Sequence, residues 1–102
     1  MFNTTNINLG VIRVGIQQII EFPYDNISLI TKIKPSCDCS EAYNLASEGK
    51  LVVKYTPKPI PVHLKEVGQY RKAVSINVTF TTTEPGNPEA TQTLTFEATI
   101  KG

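Results

Sequence analysis

Apolar and polar residues alternate along two stretches near the end of this chain. Over residues 70–81 and 93–101, one set of alternate positions is mainly apolar and the other is polar or small. This period of two is typical of a strand with one buried and one exposed face. A turn-forming cluster at residues 84–89 separates the stretches, so we predict a long antiparallel C-terminal hairpin. Its expected core residues are Val74, Ile76, Val78, Phe80, Leu94 and Phe96.

Shorter apolar stretches earlier in the chain predict further strands. They cover residues 6–12, 17–24, 27–34 and 50–56, and residues 39–46 are expected to add a short edge strand. Within them, we expect Ile27, Leu29 and Ile33 to share one face, and Leu51, Val53 and Tyr55 to share another. The count favours an all-β fold, a β-sandwich of six to seven antiparallel strands, with a small closed barrel as the main alternative.

One long segment between the predicted strands is irregular. Pro57, Pro59 and Pro61 occupy alternate positions, and the connection continues to Gly68. Because proline has no backbone N–H, this run cannot pair on both edges, so we expect it to be extended and unpaired or to lie on a sheet edge. It is either a solvent-exposed crossover between two sheets or a contact surface for a partner.

Composition and charge restrict the class of protein. The 102 residues fit one domain, and 40% hydrophobic residues are enough to form a core. A formal charge of +1 argues against a dedicated nucleic-acid binder. The sequence contains no apolar run long enough for a transmembrane helix and no pattern of a signal peptide, so we expect no membrane partner.

Several short motifs follow one another in a recognisable order. They are Leu9-Gly10-Val11, Gly15, Ser36-Cys37-Asp38-Cys39, Ser47-Glu48-Gly49, Val53-Lys54-Tyr55, Gly68-Gln69-Tyr70-Arg71-Lys72 and Leu94-Thr95-Phe96-Glu97-Ala98. In this order the chain resembles a bacterial and phage immunoglobulin-like domain family of unknown function with a Ser-Cys-Gly-Cys-type element. That family is related to sperm-protein and cilia-associated β-sandwich domains. The resemblance implies one immunoglobulin-like β-sandwich over residues 1–102.

The chain departs from that family in its Ser-Cys-Gly-Cys-type element. In size and architecture it also resembles a second group of proteins. Asp38 stands where the family carries glycine, so a positive φ there would be less comfortable. The second group is the immunoglobulin-like accessory proteins of tailed phage particles, which decorate or cement a shell.

Cys37 and Cys39 are the only pair of soft ligands in the sequence. This candidate thiol pair has three alternative roles: small thiols in a turn, a redox-active or disulfide pair, or metal ligands assisted by His63 and Asp38. Structural zinc sites usually show a second matched ligand pair, which this sequence lacks, so we expect no metal. His63 lies outside any nucleophile motif, and the acidic residues show no paired spacing. We therefore expect no catalytic residue, no cofactor, no small-molecule substrate and no enzymatic activity.

The remaining expectation is protein–protein binding through a strand edge or a loop. The candidate partner contacts are Ile60, Val62, His63, Leu64, Glu84 and Asn87, and the polar leader at residues 1–6 is a further candidate. By resemblance, we expect a non-catalytic accessory subunit of a phage virion that binds capsid or other virion proteins. A bacterial immunoglobulin-like binding module, in an envelope or cytoplasmic assembly, is the alternative. A small thiol-redox or metal protein is the second alternative.

Overall fold

The computed structural model describes residues 2–37, 40–82 and 89–102. Within these ranges, seven strands form two sheets, and two 3₁₀-helices lie in the connections between strands. The all-β prediction is therefore confirmed. In chain order the elements are β1 (Asn6–Arg13), β2 (Gln18–Pro23), β3 (Ile27–Pro35), β4 (Ser40–Leu45), a 3₁₀-helix (Ala46–Glu48), β5 (Lys50–Tyr55), a 3₁₀-helix (Val62–Leu64), β6 (Gln69–Thr82) and β7 (Ala90–Lys101).

The two sheets have the strand orders β1-β7-β6-β3 and β2-β5-β4. β6 and β7 pair antiparallel, from Gln69 opposite Lys101 to Phe80 opposite Ala90, which confirms the predicted C-terminal pairing. The turn predicted between them overlaps residues 83–88, which lie outside the described residues, as do the candidate contacts Glu84 and Asn87.

The direction of β1 differs from the prediction of antiparallel strands. β1 runs parallel to β7, with Asn6 opposite Thr95 and Arg13 opposite Lys101. The reason is that β1 does not form a hairpin with β2, because the two consecutive strands belong to different sheets. The connection between them includes Gly15 at φ 75°, a left-handed conformation that glycine adopts without steric cost.

The apolar faces of both sheets meet in one core. All six core residues predicted for the C-terminal strands are buried, and Leu51, Val53 and Tyr55 join them from β5. Val52 is buried as well, although the alternation in β5 places it on the opposite face. The alternation therefore predicted which side of β5 faces the β1-β7-β6-β3 sheet. It did not predict that the opposite side of β5 is covered as well.

The predicted face of β3 is wrong at Leu29. This side chain is 59% exposed, whereas Ile30 packs against the core. The pairing of β3 with β6 shifts register between Ile27 and Leu29 and again between Ile30 and Lys32. Each such irregularity changes which side of the strand faces inward, so strict alternation fails here.

The N-terminal residues take part in the fold. Phe2 is buried, and its ring lies edge-on to those of Tyr24 and Phe80. Its backbone N–H donates to the Gln92 side-chain oxygen at 3.0 Å. The candidate leader at residues 1–6 is therefore not polar throughout, since Phe2 packs into the core, where its aromatic ring is more stable than in water.

One end of the sandwich carries the connection with Ile60, Val62, His63 and Leu64, and we call it the lower end. Here β1, β5 and β7 finish while β2, β4 and β6 begin. The Val14 N–H donates to the Lys101 carbonyl at 2.9 Å, and the Gly15 N–H donates to the Pro57 carbonyl at 3.1 Å. These hydrogen bonds link the segment after β1 to the end of β7 and to the connection that follows β5.

Candidate functional site

The connection between β5 and β6, residues 56–68, forms much of the surface of the lower end. It has no regular secondary structure as far as Pro61, which agrees with the expected unpaired run. The 3₁₀-helix Val62–Leu64 follows, and the sequence reasoning missed it. The Leu64 N–H donates to the Pro61 carbonyl at 2.9 Å, and the Leu64 carbonyl accepts from Val67 and Gly68 at 3.0 and 3.1 Å. These local bonds fix a shape that proline spacing alone could not predict.

The start of this connection, directly after β5, is held in place as well. Pro57 is fully buried, and the Tyr70 hydroxyl donates to the Lys58 carbonyl at 2.7 Å. A proline ring already restricts the backbone, so little conformational freedom remains to be lost. The connection is thus held at its start, in its middle and at its entry into β6.

Four of the six predicted partner contacts come together on this connection. Val62 is 83% exposed and His63 is exposed, whereas Ile60 and Leu64 are half-buried. Val67, which lies in the predicted connection but was not among the six candidate contacts, is 63% exposed. The signal for Val67 was present in the sequence, as an apolar residue directly before a glycine in a stretch without strand periodicity. We call Val62 and Val67 the apolar pair of the lower end.

A cleft of about 240 Å³ opens beside the connection, between the inner face of β6 and the proline run. Its lining residues come from four separate parts of the chain, which is why sequence reasoning did not find it. They are Cys37, Tyr55, Lys58, Pro59, Pro61, Tyr70 and Lys72.

The two tyrosines give the cleft neutral hydroxyl groups. Burial raises the pKa of Tyr55 to about 12, and the nearby Tyr70 raises it further. Burial also raises the pKa of Tyr70, while the positive charge of Lys58 acts in the opposite direction. Both phenols are therefore protonated near neutral pH and do not act as bases. The single O–H of Tyr70 is already donated to the Lys58 carbonyl.

Cys37 lies at the edge of the cleft and takes part in a disulfide bond. This is one of the alternatives that the sequence left open for the candidate thiol pair. Cys39 and Asp38 lie outside the described residues. Across the part of the chain that the structure describes, no group of three or more His, Cys, Asp or Glu side chains is arranged to hold a metal ion.

Positive charge predominates at the lower end. Its described cationic side chains include Arg13, Lys54, Lys58, Lys65, Arg71, Lys72 and Lys101, and its described carboxylates include Glu41, Glu66 and Glu97. Arg71 lies 3.6 Å from Glu97 on the outer face of the sheet. Two of these residues, Lys58 and Lys72, line the cleft itself.

Comparison of the chain with protein-family models, curated proteins and solved structures found no match. Among the described residues, no helix combines the length and apolar character needed to cross a membrane. The proposals below therefore rest on the geometry of the lower end and on the resemblance given above.

Proposed function

We propose that this chain is a non-catalytic structural protein, an immunoglobulin-like β-sandwich that binds other proteins of a larger assembly. In its most specific form, the assembly is a phage virion and the chain is an accessory subunit of the decoration or cement type. The strand orders β1-β7-β6-β3 and β2-β5-β4 support the immunoglobulin-like assignment. That fold places its second, fifth and fourth strands side by side in one sheet and its third, sixth and seventh strands in the other.

The observation that carries the proposal is the apolar pair, Val62 and Val67, held exposed on a fixed backbone. Exposed apolar side chains on an ordered connection are candidates for protein binding, since a folded surface usually exposes few of them together. The hydrogen bonds to Leu64 and the preceding prolines fix the connection before a partner binds. Pre-organisation lowers the entropic cost of association, which is about 0.5–1.5 kcal/mol for each side chain that must otherwise be immobilised.

A matched pair of variants tests this surface. Val62→Asp combined with Val67→Asp places charge on the apolar pair, whereas Leu29→Asp places charge on a similarly exposed residue of β3. Particles are prepared from the source organism with the gene deleted, then mixed with each purified protein and separated on a density gradient. Circular dichroism and thermal unfolding check that each variant is folded.

We expect the wild-type chain and Leu29→Asp to sediment with the particles, and the double variant to bind at least about tenfold less. If the wild-type chain does not bind any particle, the proposed assembly role is wrong. If the double variant binds as well as Leu29→Asp, the apolar pair is not the interface. Capsid and portal genes beside this gene would favour the virion, whereas envelope genes would favour the bacterial alternative.

A further inference from the structure

The first half of β2, at the lower end of the sandwich, has an open edge. β2 pairs with β5 along one side over its whole length, and no strand of the described residues pairs along its other side. The N-terminal segment covers only the far end of that side, where the Asn3 N–H donates to the Pro23 carbonyl at 3.2 Å. It then crosses to the other sheet, where the Thr5 carbonyl accepts from the Thr95 N–H at 2.8 Å.

The described residues that adjoin the gaps in the described ranges lie away from this edge. Phe2 forms a bridge with Tyr24, beyond the far end of β2. Cys37 and Ser40 adjoin β3 and β4, which lie beside each other at the opposite side of the sandwich. β6 ends and β7 begins at the end of the sandwich remote from the lower end. The first half of β2 is therefore exposed along its edge.

Two hydrogen bonds show which backbone groups of β2 face the open edge. The Tyr24 N–H donates to the Gly49 carbonyl at 3.0 Å, toward β5, whereas the Pro23 carbonyl accepts on the other side. Because successive residues of an antiparallel strand point their N–H and C=O groups alternately to the two sides, those of Ile19 and Glu21 face the open edge. No described residue bonds to them there. Two N–H and two C=O groups are thus available to an added strand.

The other edge strands are less suited to pairing. β1 is irregular between Asn8 and Val11, where Gly10 has φ 73°. β3 has two register shifts, and β4 begins directly after residues outside the described ranges. Such irregularities hinder edge-to-edge pairing. The ladder of β2 with β5, in contrast, runs without a shift, and the one proline of β2 is its last residue.

The side chains along the open edge suit a second copy of the same strand. Ile19 is 62% exposed on the outer face of its sheet, and Gln17 is exposed as well. Glu21 lies 2.8 Å from the Lys50 ammonium group, so its charge is already compensated. Antiparallel pairing about a two-fold axis at Ile19 sets this residue against Ile19 of the second copy, and it sets Glu21 against Gln17. Apolar then meets apolar, and the Gln17 amide can donate to the Glu21 carboxylate.

The alternation of the backbone groups leaves few other registers. Only a register that pairs outward-facing residues with one another lets their N–H and C=O groups bond. An axis at Ile20 would set Ile19 against Glu21, an apolar side chain against a charged one. An axis at Glu21 would set two carboxylates opposite each other and would set Ile19 against Pro23, which has no N–H. The axis at Ile19 avoids both conflicts.

We infer that β2 pairs antiparallel with β2 of a second copy of this chain, with Ile19 at the two-fold axis. The pairing joins two three-stranded sheets into one six-stranded sheet and covers the β2 edge of both copies. Two-fold dimers are the commonest symmetric oligomers. Because the contact is short, we expect a Kd on the order of 10–100 µM. This inference goes beyond the proposed function and does not depend on it.

Sedimentation equilibrium of the purified chain, from about 10 µM to about 1 mM, measures the dimer. We expect the average mass to rise from 11.3 kDa toward twice that value. Ile19→Lys and Ile19→Pro should each raise the Kd at least about tenfold. Ile19→Pro deletes an N–H that points away from β5, so the ladder with β5 keeps its bonds. Leu29→Lys, at a similarly exposed residue of β3, is the matched control and should leave the Kd unchanged. Circular dichroism checks that each variant is folded.

Cysteine cross-linking tests the register. Ile19→Cys places two thiols opposite each other, so mild oxidation should give a covalent dimer. In Glu21→Cys the two substituted residues lie about 14 Å apart along the strands, since a strand rises about 3.4 Å per residue, and no disulfide can join them. A mixture of Gln17→Cys and Glu21→Cys should give a mixed dimer. The described residues contain no free cysteine that would compete.

Four results would overturn the inference. The first is a chain that stays monomeric up to about 1 mM, and the second is a loss of dimer in Leu29→Lys as large as in Ile19→Lys. The third is cross-linking of Glu21→Cys as efficient as that of Ile19→Cys. The fourth is a monomeric chain whose particle binding is lost in Ile19→Pro, which would make a different protein the occupant of the edge. Failure to dimerise would leave the particle experiment on Val62 and Val67 unaffected, because those residues lie outside β2.

Discussion

The rings of Tyr55 and Phe96 face each other across the two sheets, with centroids 5.1 Å apart and an angle of 60° between their planes. Tyr55 ends β5 of one sheet, and Phe96 lies in β7 of the other. Tilted aromatic pairs at this distance contribute about 0.5–1.5 kcal/mol beyond their buried area. This pair therefore connects the β1-β7-β6-β3 sheet to the sheet that leads into the proline run.

Phe96→Ala should severely destabilise the fold. The side chain is fully buried, so truncation removes its contacts and leaves a cavity, at a cost of about 3–5 kcal/mol. Urea denaturation measures the free energy of unfolding. Val11→Ala serves as the control, because Val11 is largely exposed and its truncation should change stability by less than about 0.5 kcal/mol. Similar values for the two variants would contradict the position of Phe96 in the core.

Phe2→Ala should also destabilise the protein, although Phe2 precedes the first strand. Its ring lies 5.3 Å from that of Tyr24 and 6.1 Å from that of Phe80. We expect a loss of about 3 kcal/mol in the free energy of unfolding, again by urea denaturation. Thr4→Ala, at an exposed position of the same segment, is the control. If Phe2→Ala matches Thr4→Ala, the N-terminal segment is not anchored to the core.

Gly49→Ala should weaken the turn before β5. Gly49 has φ 66°, and a Cβ placed there would lie 3.7 Å from the Tyr24 carbonyl oxygen, an ordinary contact. The cost therefore arises from the left-handed backbone rather than from a clash, and it should be about 1–2 kcal/mol. Gly49→Asn should cost less, because asparagine tolerates this conformation. Thermal unfolding of the two variants compares them, and a smaller loss for alanine than for asparagine would contradict this explanation.

Tyr55 should make stability depend on pH under alkaline conditions. Its pKa in the folded protein is raised from 10.0 to about 12 because the phenol is buried. Below pH 10 the phenol is protonated in both states, so its contribution to folding is fully present. Between pH 10 and 12 the unfolded chain loses this proton more readily, so the contribution falls as pH rises through the folded pKa.

The free energy of unfolding, measured from pH 8 to pH 12, tests this prediction. Tyr55→Phe cannot ionise, so we expect a shallower decline of stability above pH 10 than in the wild-type chain. Tyr43→Phe is the matched control, since that ring is 40% exposed. An unchanged slope in Tyr55→Phe would show that burial of Tyr55 does not drive the alkaline loss of stability.

Much of the strand content could be predicted from the sequence, because the alternation of a half-buried strand is a local property. Residues 70–81 and 93–101 were predicted within a few residues of β6 and β7, and their buried face was predicted correctly. Leu29 shows where this reasoning fails, since register shifts in β3 depend on the partner strand. The proline run was correctly singled out as irregular, but its 3₁₀-helix was not predicted.

The sequence by itself determined the all-β character and the core of the C-terminal strands. Each of these follows from residue type and short-range spacing. Only the tertiary structure decided the parallel direction of β1, the register shifts that expose Leu29 and the cleft that Lys72 lines. The physical reason is that these features join residues far apart in the chain. Their positions follow from how two sheets pack and where each strand ends, which local periodicity does not specify.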